Sequence, residues 1–141
     1  MTQKFLVLAI HLAVLAVSAH AYSAEPASPA GLSCVLSRSV DGKFFHDELK
    51  FKLKESAPAT QDAPATEKWI ATQRFGGYQF TVTLFFKKST DGINWIELKH
   101  VVTDGSGKQL NRFSSVAKPD FTFFFGGSLE KHFDYDISCV M

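Results

Sequence analysis

The stretch Phe133–Met141, FDYDISCVM, decides the fold. As far as Cys139 its apolar residues fall on alternate positions: Phe133, Tyr135, Ile137 and Cys139. On an extended backbone successive side chains point to opposite sides, so this spacing predicts a strand with one face in the core. Cys139 belongs to that face. The chain has one other cysteine, Cys34, in phase with Leu32 and Leu36. Both cysteines therefore lie among apolar positions. A prenylation signal would put its cysteine fourth from the end, and Cys139 is third. Two cysteines cannot fill a four-ligand zinc site without other residues. In an exported protein such a pair predicts one disulfide, Cys34–Cys139. Closing so long a segment contributes about 4–5 kcal/mol in the chain-entropy model. A small domain's whole stability is about 5–15 kcal/mol.

Export is read from the other end. MTQK carries one positive charge, FLVLAIHLAVLAV is apolar apart from His11, and SAHA supplies small residues at Ala19 and Ala21. These are the three regions of a secretory signal peptide, in order. The apolar run falls short of the roughly 20 residues that span a bilayer. Residues 1–21 are thus expected to be removed, and 22–31 (YSAEPASPAG) to form a disordered leader. One domain is expected over 32–141, with a periplasmic or extracellular location. Removing 1–21 takes away Lys4 and no acid, so 15 basic residues become 14, against 14 acidic. A neutral balance argues against nucleic acid as a partner and against electrostatic docking to a membrane.

From Leu32 onward the period is two. Aspartate-glycine steps at 41–42, 91–92 and 104–105, double glycines at 76–77 and 126–127, and AKPD at 117–120 punctuate the chain as turns. They predict an all-β fold of about eight strands: 32–40, 43–54, 67–75, 78–88, 93–103, 108–117, 120–125 and 129–140. Short connections make successive strands antiparallel neighbours. The disulfide then brings the N- and C-terminal strands together. The meander closes into a small barrel or a two-layer β-sandwich, which hides edges that would otherwise aggregate. Residues 55–67, ESAPATQDAPATE, repeat APAT and read as a flexible surface loop. Tyr78, Phe80, Val82, Leu84 and Phe86 share one face, as do Phe121, Phe123 and Phe125. Phe85 and Phe124 have the opposite phase and face outward, meet a second layer or line a ligand site.

Few stretches carry chemistry. STDGINW (89–95) resembles the Asp-box hairpin through Ser89, Asp91, Gly92 and Trp95. The resemblance implies a turn with its tryptophan behind it and no activity. ELKFKLKE (48–55) places Lys50, Lys52 and Lys54 on one strand face. They are candidates for contacting an anionic partner, or form a solvated face that discourages edge pairing. EKHFDYD (130–136) alternates Glu130, His132, Asp134 and Asp136. An imidazole beside carboxylates suits zinc or manganese, yet same-face neighbours are about 7 Å apart along a strand, too far for three to share one ion easily. If the two charged strands were adjacent, their charges would satisfy one another. TDGSGK (103–108) lacks the later acids of a calcium loop and the longer glycine frame of a phosphate loop. No Gly-x-Ser-x-Gly elbow occurs.

The sequence thus points to an exported β-domain with no cofactor and a non-catalytic role. That role is surface recognition of a protein or anionic partner, in the manner of an inhibitor or adhesin. One alternative is a small-ligand carrier using the barrel interior. Another is a metal-dependent hydrolase built on His132, Asp134 and Asp136. An outer-membrane barrel would need an apolar outward band, which the charged strand faces oppose.

Overall fold

The computed structural model describes residues 29, 31–89, 92–118 and 122–141. The expected signal peptide lies outside them, as does most of the leader. Pro29 is buried, and its carbonyl accepts the Leu32 N–H at 3.1 Å.

Nine antiparallel strands follow: β1 (Ser33–Val40), β2 (Lys43–Glu48), β3 (Lys52–Ala57), β4 (Ala65–Phe75), β5 (Tyr78–Ser89), β6 (Gly92–Thr103), β7 (Gln109–Ala117), β8 (Thr122–Glu130) and β9 (Phe133–Val140). They form a four-stranded sheet, β2-β1-β9-β8, and a five-stranded sheet, β3-β4-β5-β6-β7. The fold is a β-sandwich; the barrel option is set aside because the two sheets stay separate. Cys34 and Cys139 face each other across the β1–β9 ladder and form the disulfide, 105 residues apart in sequence. That ladder is central in its sheet, and β2 and β8 are the edges.

The expected strand 43–54 bends into two. Parity shows how. If every connection reversed the chain, β1 and β9 would run parallel, yet they pair antiparallel. The connection that keeps its direction is Leu49–Phe51. Leu49 extends the ladder by donating its N–H to the Cys34 carbonyl at 2.9 Å. The inward phase runs unbroken through Leu49, Phe51 and the half-buried Leu53. One strand thus turns a corner between sheets, a usual device in β-sandwiches.

Two turns match their sequence signals. Asp41 and Gly42 (φ 49° and 74°) join β1 to β2, and Gly76 and Gly77 (φ 56° and 84°) join β4 to β5. Positive φ at both positions matches the twist of the flanking strands. The third double glycine behaves differently. Gly126 and Gly127 lie inside β8, and the turn falls at Lys131-His132, with His132 at φ 70°. Glycine is needed in the strand because a Cβ at Gly126 would collide with the Tyr135 carbonyl oxygen, and one at Gly127 would come within 2.9 Å of Asn111 Nδ2. The expected loop 55–67 is also shorter. Residues 55–57 and 65–67 are paired in strands, and the tip is closed by the Thr60 N–H on the Ala63 carbonyl at 2.8 Å. The tip of the 89–95 hairpin and the AKPD turn lie partly outside the described residues.

Between the sheets Leu36, Phe80, Leu84, Phe86, Ile96, Leu98 and Ile137 are all but inaccessible to solvent. At one end Phe133 meets Tyr78, Phe75 and Phe80 with ring centroids 5.2, 5.9 and 6.4 Å away. At the β7–β8 side the sheets touch through side chains. Phe113 stacks on Phe125 at 4.8 Å, and Asn111 Nδ2 donates to Tyr135 Oη at 2.7 Å. Aromatic filling holds these two edges at side-chain distance, where backbone pairing cannot close a barrel.

Candidate functional site

The two outer faces carry opposite charge. On the five-stranded sheet, burial alternates: Trp69 and Ala71 on β4, Phe80 to Phe86 on β5 and Ile96 to Val102 on β6 point inward at every second position. The register therefore places Lys52, Lys68, Arg74, Lys87, Lys99 and Arg112 on the outer face, against the carboxylates Glu55 and Glu97. Both carboxylates are engaged, Glu55 with Lys68 at 2.6 Å and Glu97 with Lys99 at 2.9 Å. Lys52, Lys87 and Arg112 have no carboxylate partner among the described residues.

Aromatic rings organise this face. Lys99 and Lys68 approach the Phe85 ring at 4.9 and 5.8 Å, and Lys87 lies 4.0 Å over Trp95. A cation over a π face is attracted by the ring's negative surface, and its long stem covers apolar area. Phe85 thus takes an outward place on a cationic ladder. Trp95, expected behind the Asp-box-like turn, lies on this outer face beside Lys87.

Only part of the expected lysine stripe reaches the face. Lys52 sits there, in register with Ile70. Lys50 is at the corner and pairs with Glu48 of the other sheet. Lys54 is the extra residue of a bulge between Leu53 and Glu55. The corner at 49–51 keeps the phase but leaves Lys50 on the seam between the sheets, and the bulge at Lys54 breaks the period of two on which the stripe rested.

The outer face of the four-stranded sheet is acidic and hydroxyl-rich. Three rows cross it: Phe44, Ser39, Asp134 and Ser128; then His46, Ser37, Asp136 and Gly126; then Glu48, Val35, Ser138 and Phe124. His46 Nδ1 lies 3.1 Å from Ser37 Oγ, and Ser128 donates its hydroxyl hydrogen to Asp134. Asp136 flanks Ser37 rather than His46, so this row lacks the order of a catalytic triad. Phe44 and Phe124 are 74% and 70% exposed.

His132 occupies the β8–β9 turn, while Asp134 and Asp136 project from the sheet. No group of three or more His, Cys, Asp or Glu able to hold a metal occurs among the described residues. The acidic stretch and Lys52 belong to different sheets, so the two stripes do not neutralise each other as adjacent strands would.

Two buried polar groups escaped the sequence reading. Arg38 continues the inward phase of Leu32, Cys34 and Leu36. Its Nη2 donates to Asp47, and the guanidinium lies 4.0 Å over the Phe75 ring. Burial holds its pKa below the usual value. His100 sits deeper, on β6. Its Nε2 is 3.2 Å from Tyr135 Oη, which also receives the Asn111 hydrogen bond. Burial pushes the His100 imidazole down to about 4, opposed more weakly by the Thr81 backbone. Burial raises the Tyr135 pKa, against the Asn111 hydrogen bond. The consistent arrangement is a neutral imidazole whose Nε2 accepts the tyrosine hydroxyl hydrogen, while Tyr135 Oη accepts from Asn111. The inward phase of both residues was the available signal, since a polar residue at an apolar position marks a buried network. His100 and Tyr135 are buried and Asn111 is half-buried, and the hydrogen bonds tie the two sheets together at the β7–β8 side. Comparison with known protein families, characterised proteins and solved structures returns no match.

Proposed function

We propose that this chain is an exported, non-catalytic β-domain that recognises an anionic macromolecule through the outer face of its five-stranded sheet. One observation carries the reading: among the described residues six cations share that face with two carboxylates, and three of the cations lie against Phe85 and Trp95. The nearly even overall charge concealed this, because a face-level excess is offset by carboxylates spread over the rest of the chain. A broad patch of one sign steers and holds a partner of the other. The filled interior favours recognition at the surface over carriage of a small ligand. The disulfide is compatible with an oxidising extracellular or periplasmic location. The signal peptide read in residues 1–21 supplies the route.

The test is retention of the mature chain on immobilised heparin, a model polyanion. Wild type should bind at low salt and elute as salt screens the contact. Lys52→Glu/Lys87→Glu/Arg112→Glu should pass through unretained while melting at the wild-type temperature. Lys43→Glu/Lys108→Glu/Lys131→Glu has the same net charge but leaves the face intact, and it should still bind. Equal retention of the two triple variants, or a wild type that fails to bind, would refute the proposal.

A further inference from the structure

The acidic face of the four-stranded sheet has no role in that reading, and its chemistry suggests one. Lys and Arg are absent from the three rows that cross it. The Asp136 carboxylate has no hydrogen-bond partner among the described residues, and Phe44 and Phe124 stand at opposite corners, strongly exposed. The basic face on the other side of the sandwich supplies what these groups lack. Lys52, Lys87 and Arg112 are there without a carboxylate partner among the described residues, and cations are favourable neighbours for exposed rings. Resting on the proposal that the basic face recognises anionic surfaces, we propose that one such surface is the acidic face of a second copy of this chain.

Geometry then dictates the kind of assembly. The two complementary faces are different surfaces on opposite sides of one molecule. A contact between them is heterologous, and each added copy presents a fresh face of each sign. Such contacts propagate as an open stack unless rotation closes a ring. The footprint sets the strength. Four strands about 4.8 Å apart and about eight residues long at roughly 3.3 Å each cover about 400–500 Å². A stable standard interface takes about 800 Å² from each partner. The stack is therefore weak, reversible and dominated by charge, so it forms at high protein concentration and dissolves in salt. A polyanion on the basic face competes with it.

Sedimentation of the mature chain from micromolar to millimolar concentration tests this. At about 10 mM salt, where the screening length is about 30 Å, the average mass should rise past the dimer; at about 1 M salt, where it is about 3 Å, the chain should be monomeric. Soluble heparin should also return it to single copies. Asp134→Lys/Asp136→Lys and Lys52→Glu/Lys87→Glu/Arg112→Glu should each be monomeric alone, because each presents two faces of like sign. Their equimolar mixture should assemble again. A wild type that stays monomeric at low salt and millimolar concentration overturns the proposal and leaves the acidic face to a foreign cationic partner. So does assembly that survives in either variant alone, or a closed dimer that grows no further. Heparin retention is read separately, so failure of stacking is distinguishable from failure of polyanion recognition.

Discussion

Acidification should loosen this domain through one residue. His100 is 1% exposed and its imidazole is held at about 4 in the folded chain, against 6.5 when free. Between these values the unfolded chain binds a proton that the folded chain refuses. Stability is therefore complete above about pH 6.5, falls as pH drops, and stops falling through this group near pH 4. The gap of about 2.5 pKa units, at 1.36 kcal/mol each, is a loss of about 3 kcal/mol. That is a large part of a small domain's reserve. The assay is urea unfolding at half-unit steps from pH 7.5 to 4, on wild type and on His100→Leu. The variant loses the contact to Tyr135 and is weaker at neutral pH, but its stability should be flatter over this range. Two carboxylates act lower. For Glu67, hydrogen bonds from Lys88 and Trp69 outweigh the upward push of burial. For Asp104, the Ser106 hydroxyl is the main cause. Both are held below their ordinary values, so their stabilisation is lost only as pH falls through their lowered values. They titrate alike in both proteins and cancel in the difference. Parallel curves for wild type and variant between pH 6.5 and 4.5 would refute the reasoning. So would an NMR titration that puts the His100 imidazole near 6.5.

Other outcomes follow from the same contacts. Cys34→Ser/Cys139→Ser should lose about 4–5 kcal/mol in denaturant unfolding if the chain-entropy account holds. Gly126→Ala should cost about 1–3 kcal/mol, because a methyl group there meets backbone that cannot move aside; Gly42→Ala tests a different cost, since only its positive φ resists the change. Tyr135→Phe leaves His100 Nε2 and Asn111 Nδ2 without their shared partner and should cost about 1–3 kcal/mol, read from thermal or urea melts. Adding zinc should leave the melting temperature unchanged, and His132→Ala should change neither melting nor metal content.

Some of this was legible because it depends only on local periodicity. Inward faces of β5 and β9 obey the period of two, and the Asp41-Gly42 and Gly76-Gly77 turns need residues that accept positive φ. The pairing of two cysteines needs no fold at all. Other features are decided by neighbours far along the chain. Gly126-Gly127 looks like a turn, yet serves the close approach of β8 to Tyr135 and Asn111. Lys131-His132 makes the turn with no glycine to announce it. Lys50, Lys52 and Lys54 share a phase in sequence and part company because the strand bends and bulges between them.

The sequence by itself determined an all-β chain, its strand phases, its disulfide and the positions of most turns. Each follows from backbone geometry or covalent chemistry acting over a few residues. Only the tertiary structure decided that the meander is two separate sheets, that Arg38 and His100 are buried, and that a nearly balanced chain gathers six cations on one outer face and keeps Lys and Arg out of the three rows of the other. Charge on a face is a sum over strands distant in sequence. Register across four or five strands fixes that sum, and no single stretch contains it.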